Sequence, residues 1–315
     1  MVDLDLISGY RGARRAAVAR YALSGRLRGL DAIYVESSTF LPAEVDLAFL
    51  GLARALGIPV LTYIRDAYQL FPEYDSGGGV RRAIGRAAFR PSFGALAAVS
   101  SQLAFPSRGL AEVLTGDADG GILIPPGSPP PINIRRDPRA KALLFVGNGT
   151  LEAQGAGRLI EAVAQARANG ADVELAIVSR PGEEPPSRHP DWLMVTNGEG
   201  PEIRGLLPGV IASVIPRPRG RYNDLAVPVK LYDYLSYGRP LLVTDCLEQA
   251  RVVRQAEAGI VVGDGPDEIG EGIRLLAQSD AATLDRWADH ATRAATESSW
   301  HQRATSVLTA LGIAA

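Results

Sequence analysis

Short apolar runs recur along this chain at intervals that a helix fills, and this alternation restricts the fold more than any other feature. In the first part DAIYVE (31–36), IPVLTYI (58–64) and ALAAVS (95–100) read as strands, with helical stretches over 43–56 and near 79–90 between them. Runs of this length without alternating polar positions suit a parallel sheet whose two faces are both covered by helices. A second series begins with KALLFVG (141–147), a helix from about 155 to 169, DVELAIVS (172–179) and WLMVT (192–196). It continues with a short helix near 202–207, GVIASVIP (209–216), PVKLYDYLSYG (228–238) as helix and RPLLVT (239–244) as strand. A helix near 247–257 and the strand AGIVVG (258–263) complete it, and the tail from Pro266 reads as helices.

Between the two series GILI (121–124) runs into PPGSPPP (125–131), whose five prolines suit neither a sheet interior nor a helix interior. This reads as an interdomain linker. The chain is 315 residues long, and single cores stop growing at roughly 250 residues. The expected fold class is therefore α/β: two Rossmann-like domains facing a cleft, residues 1–130 and 131–315, with the last helix packing back on the first. Ligands are expected beyond the carboxyl ends of the strands. The opening, MVDLDLISGY, carries no glycine-rich turn after a strand, so the first unit is either short or begins upstream of Met1.

Hydrophobic residues make up 46% and charged residues 22%, which excludes a disordered chain. No apolar stretch approaches the roughly 20 residues of a membrane span, and a cytoplasmic location is expected. One cysteine (Cys246) and three scattered histidines (His189, His290, His301) give no disulfide and no metal-ligand spacing. A net charge of −2 argues against a nucleic-acid partner. Between Asp5 and Asp31 there is no acidic residue, while Arg11, Arg14, Arg15, Arg20, Arg26 and Arg28 fall in that window. Two readings fit: a helix over a sheet with solvated arginines, or peripheral contact of segment 11–28 with an anionic surface at the inner membrane face.

The chemistry concentrates in VIPRPRGRYNDLAVPVKLYDYLSYGRPLLVTD, residues 214–245. Pro228 suits the first turn of a helix and Gly238 its C-terminal stop. Leu231 and Leu235 supply an inward stripe, and Lys230 and Asp233 share a face near the N-terminus. Exposed N–H groups, the helix dipole and a lysine ammonium together attract phosphate there, and a carboxylate can accept from two ribose hydroxyls. Of 33 basic residues only Lys141 and Lys230 are lysines, which hints that a compact ammonium matters at 230. A surface ion pair between Lys230 and Asp233 is the plainer reading, and spacing alone leaves the two even.

PVKLYDYLSYGRPLLVTD resembles the donor-site helix of family-four-type glycosyltransferases of the GT-B fold, in which Pro-x-Lys-Leu-x-Glu-Tyr-x-x-x-Gly-x-Pro precedes an apolar strand. The resemblance extends more loosely over about 31–275, including IPVLTYIRDAYQLFP, LIPPGSP and AGIVVGDGPDEIGEGI. It implies retaining sugar transfer from a nucleotide diphosphate sugar of UDP or GDP type, as co-substrate and with no other cofactor or metal, to a glycan, lipid-linked or small-molecule acceptor. Asp233 would hold the ribose, Lys230 the diphosphate, and Asp66 would orient the acceptor. Two departures stand out: Leu225 occupies the position eight before Asp233 where a glutamate is usual, leaving Asp224 as the nearest substitute, and the phosphate loop has Gly147-Asn148 and Gln154-Gly155 in place of Gly-Arg and Lys-Gly. Phosphate binding is then expected from the N–H groups of Gly147, Asn148 and Gly149, from Pro228, Val229 and Lys230 at the helix start, and from Arg217 or Arg158. A nicotinamide dehydrogenase is disfavoured because GNGTLEAQGAG has Glu152 at the third glycine position. A non-catalytic glycosyltransferase-like binding protein and a GT-B enzyme of other chemistry, such as a sugar nucleotide epimerase, remain open.

Overall fold

The computed structural model describes residues 3–9, 11–37, 44–71, 79–185 and 190–314. The chain divides into two compact units, one running to Pro125 and resuming at Ala304, the other comprising Pro126–Arg303.

The first unit opens with α1 (Arg11–Leu23), then β1 (Ile33–Ser37), α2 (Glu44–Ala55), β2 (Val60–Ile64), α3 (Val80–Val99), β3 (Gln102–Phe105), α4 (Arg108–Thr115) and β4 (Ile122–Leu123). Its four strands are parallel in the order β1-β2-β3-β4. Period two governs β2: Val60 and Ile64 pack with Leu50, Leu96 and Leu110 on one face, while Leu61 and Tyr63 pack with Ala104, Ile124 and Val307 on the other. The expected strand ALAAVS is instead the last part of α3, which runs on through Pro91. Three alanines and a leucine within 94–99 favour helix over strand, and the strand begins only at Gln102. Among the arginines of segment 11–28, Arg14 pairs with Asp46 at 2.8 Å, Arg15 with Glu44 at 2.7 Å and Arg26 with Asp5 at 2.8 Å. Much of that basic charge is therefore spent within the unit. No described helix is long and apolar enough to cross a membrane.

The second unit holds β5 (Ala142–Val146), α5 (Ala156–Ala168), β6 (Glu174–Ser179), β7 (Leu193–Asn197), α6 (Gly200–Leu206) and β8 (Val210–Ile215). There follow α7 (Arg221–Leu225), α8 (Val229–Ser236), β9 (Leu241–Thr244), α9 (Leu247–Ala256), β10 (Gly259–Val262), α10 (Pro266–Gln278) and α11 (Ala281–Glu297). The last helix, α12 (Trp300–Ala310), starts in this unit and contributes Val307 to the first. All six strands are parallel in the order β10-β9-β8-β5-β6-β7, the doubly wound arrangement in which the first strand of the unit lies beside the fourth. In β5, Leu143 and Phe145 pack with α5 and α10, whereas Leu144 packs with α6 and α8. Helices thus cover both faces, and VIASVI of β8 is buried along its whole length.

The switch point of this order lies between β5 and β8. Their carboxyl ends release the segments that start at Gly147 and at Pro216, where a ligand crevice is expected.

Candidate functional site

Helix α8 is held in place by its apolar side. Leu231, Tyr234 and Leu235 are fully buried, and the Tyr234 hydroxyl accepts the N–H of Val146, the last residue of β5, at 2.6 Å. Pro228 stands at the N-cap with φ −68°, one residue before the helix, and Gly238 takes φ +58° just after it, the left-handed turn expected of a C-terminal glycine. Anchored in this way, α8 presents Lys230 and Asp233 to a pocket of about 1080 Å³ that Gly147, Asn148, Gln154, Ser179 and Arg180 also line.

The Lys230 ammonium donates to Gln154 Oε1 at 2.7 Å and lies 4.7 Å from the centre of the Phe145 ring. Residue 230 keeps some surface open to the pocket while its amine sits deep in the unit. Burial, and then the nearby positive Arg217, push that amine down to about 7 from the ordinary lysine value. No carboxylate among the described residues forms an ion pair with it; the acceptor it has is a neutral amide. Asp233 is half-buried, and burial raises its carboxyl above the usual range. The two residues do not form the surface ion pair that spacing alone left open.

The glycine loop works differently from the sequence expectation. Its N–H groups already have partners: Gly147 donates to Val178 O at 2.9 Å, Asn148 to Gln154 Oε1 at 3.2 Å and Gly149 to Glu183 O at 2.7 Å. The carbonyls that take Gly147 and Gly149 belong to β6 and the segment after it, so the loop is fastened to that strand edge. The Asn148 carboxamide oxygen in turn accepts from the N–H groups of Thr150 and Leu151, both at 2.9 Å, which closes the turn. Gly147 contributes shape: it has φ +153°, and a Cβ there would fall on Gln154 Oε1 and 2.6 Å from Lys230 Nζ.

Arg217 is also employed otherwise. Its buried guanidinium donates to Ala226 O at 3.2 Å and to Asn223 Oδ1, bracing the segment that leads into α8. Arg158 donates to Asp264 O at 3.2 Å, and Asp224 is paired with Arg219 at 2.6 Å. Pro228, Val229 and Gly149 border the same segments without lining the pocket, and Asp66 follows β2 in the first unit. The structure therefore gathers Gly147, Asn148, Lys230 and Asp233 of the sequence candidates at one pocket.

Several lining residues were not anticipated. The proline segment read as a linker supplies Pro129, Pro130 and Pro131, and the residues after it add Ile132, Asn133 and Ile134. It is stapled to α8, with Ser128 Oγ donating to Tyr232 O at 2.8 Å and Ile132 N–H to Ser236 O at 2.6 Å. Gln154 stood out in the sequence only as a lost cation. Ser179, 2% exposed, brings to the pocket edge a hydroxyl with no partner among the described residues.

Residues 140–279 match the family of group 1 glycosyl transferases. The match lies within the second unit and spans under half of the chain. No curated protein sequence matches the chain. Solved structures resemble it over almost its full length. The Anabaena protein HepE in complex with UDP and glucose has a TM-score of 0.63 at 14% identity, over 98% of this chain and 84% of that one. The UDP-forming α,α-trehalose-phosphate synthase of Burkholderia xenovorans, in complex with glucose-6-phosphate, has 0.61 at 10%, over 97% and 79%. Sucrose-phosphate synthase of Thermosynechococcus elongatus has 0.58 at 14%, over 96% and 79%. At such identities the likeness is one of fold, and the chain has the two parallel α/β units of the GT-B type.

Proposed function

We infer that this chain is a retaining glycosyltransferase that moves a sugar from a nucleotide diphosphate sugar, of UDP or GDP type, to a glycan, lipid-linked or small-molecule acceptor. The observation that carries the reading is the juxtaposition of Lys230 and Asp233 on α8 at the mouth of the β5–β8 switch point. Among the described residues Lys230 has no acidic partner, so a diphosphate entering the pocket gains a charge interaction in a poorly solvated place. The N-terminus of α8 adds its dipole. Asp233, three residues on, is left to accept hydrogen bonds from ribose hydroxyls.

The chemical step in this reading is loss of the nucleoside diphosphate from the anomeric carbon as the acceptor oxygen attacks from the same face. The carbon–oxygen bond to phosphate breaks, the new glycosidic bond forms, and the acceptor proton leaves with the diphosphate. Lys230 stabilises the charge that grows on the leaving phosphate, so no metal ion or further cofactor is invoked. Asp66, after β2, is proposed to orient the acceptor hydroxyl. The fold likeness to proteins described with UDP and glucose, and as UDP-forming, favours a UDP-type donor.

The test is incubation of the full chain with UDP- and GDP-sugars and a panel of sugar, sugar-phosphate and lipid-linked acceptors, reading released nucleoside diphosphate and product anomeric configuration by NMR. Release that Lys230→Ala abolishes, with donor configuration kept in the product, supports the reading. Inverted product would overturn retention. No binding of UDP, GDP or any donor by the folded chain would overturn the donor site itself.

A further inference from the structure

The contact that sets the state of the pocket is the one between Gln154 and Lys230. Gln154 lies in the short 3₁₀ turn Glu152–Gln154, just before α5, and lines the pocket. Its amide oxygen takes two donors at once, the Lys230 ammonium at 2.7 Å and the Asn148 N–H at 3.2 Å. The Asn148 N–H can only donate, so the oxygen, not the nitrogen, of this carboxamide must face it. Gly155, with φ +79°, follows directly, and a Cβ there would run into Pro216 O, which fixes the turn against the end of β8. The missing side chain of Gly147 leaves the space in which Gln154 and Lys230 meet.

We propose that Gln154 is the positioning residue of the donor site, a neutral hydrogen-bond acceptor that holds the Lys230 amine over Gly147 without cancelling its charge. The proposal rests on the donor-site reading and deepens it. An ammonium has three donors and Gln154 uses one, so two are left for phosphate oxygens. A carboxylate at 154 would neutralise the amine and repel a diphosphate, and a cation there would push the amine away. A neutral acceptor avoids both. The charged groups facing the amine are few: Arg217 disfavours its protonation, Asp233 shares its helix face, and Arg180, Glu183, Glu199 and Arg204 line the same pocket.

The chain has two lysines, Lys141 and Lys230, which gives a direct measurement. Trace acetylation of the intact protein with acetic anhydride across a pH series, read by peptide mass spectrometry, reports protonation of Lys230 against Lys141 as internal reference. In Gln154→Glu the midpoint for Lys230 moves up, because a carboxylate favours the charged amine. In the near-isosteric Gln154→Met it moves down, because the acceptor is gone. Opposite shifts from two substitutions of similar volume are not what a merely structural residue produces. Calorimetry with UDP and GDP forms the second arm, and both variants bind the preferred nucleotide at least about tenfold more weakly, as expected for loss of a charge-assisted contact. Unchanged Lys230 midpoints in both variants overturn the proposal whatever nucleotide binding does. If both midpoints move as expected while the wild-type chain binds neither nucleotide, the contact is real but the donor-site reading fails, and the proposed role falls with it.

Discussion

The Tyr234 hydroxyl accepts the Val146 N–H at 2.6 Å, so the helix bearing Lys230 and Asp233 is bonded to the residue that precedes Gly147. The tyrosine is completely buried, and burial moves its hydroxyl far above the usual phenol range, which keeps it un-ionised. Tyr234→Phe keeps the ring but leaves the Val146 N–H without its side-chain acceptor. A loss of about 1–3 kcal/mol in unfolding free energy is expected from urea denaturation. Nucleotide binding should weaken as well, because α8 and the glycine loop lose their common tie.

Gly147 offers a sharper probe of the pocket. A methyl group there meets Lys230 Nζ at 2.6 Å and Gln154 Oε1, and φ +153° is strained for any L side chain. Gly147→Ala should fold with a penalty on the order of 1–3 kcal/mol yet displace the lysine. Calorimetric titration with UDP and GDP should find affinity reduced at least about tenfold, and wild-type affinity in this variant would remove the glycine loop from the site.

The amine of Lys230, pushed down to about 7 by burial and Arg217, implies a pH dependence of definite sign. The unfolded value is near 10.4, so the folded chain resists protonating this group. That opposition to folding is full below about 7 and is relieved as pH rises toward the unfolded value. Bound diphosphate works the other way, favouring the charged amine. Between the two values nucleotide binding should therefore take up close to one proton, and affinity should fall as pH rises above 7. Titrations at pH 8 in buffers of different ionisation enthalpy measure that uptake. It should vanish in Lys230→Met, and a wild-type chain that binds without proton uptake would contradict the assignment.

Much of the second unit could be read from the sequence because its strands are continuous apolar runs, and a proline, a lysine and a glycine mark out α8. The same pattern reading failed at ALAAVS, where an apolar run is also alanine-rich and continues helix α3, the strand starting only at Gln102. It failed again at PPGSPPP, since proline content says that a segment is extended and not what it lies against. Only the bonds from Ser128 and Ile132 to α8 turn this linker into a pocket wall. The site was legible for Lys230 and Asp233, whose spacing places them on one helical face. The pairing of Gln154 with Lys230 was not, because the two are 76 positions apart and meet only once β5 and β8 are neighbours.

Arg239, immediately after the glycine that ends α8, shows how the far wall of the pocket is secured. It is 3% exposed, and its guanidinium donates to Leu207 O at 2.7 Å, Gly238 O at 2.9 Å, Ile134 O at 3.0 Å and Val210 O at 3.1 Å. Burial and the neighbouring Arg136 lower it to about 10, so it remains charged at neutral pH. Five planar donors reach carbonyls on three separate segments, and a lysine cannot reproduce that fork. Arg239→Leu strands several buried carbonyls at once and should cost about 3 kcal/mol or more in denaturant unfolding, with Arg239→Lys recovering little. Because Ile134 ends the pocket-lining segment, nucleotide affinity should fall in whatever fraction remains folded. A variant with full stability would mean that these carbonyls find other donors, and that the wall holds without its arginine.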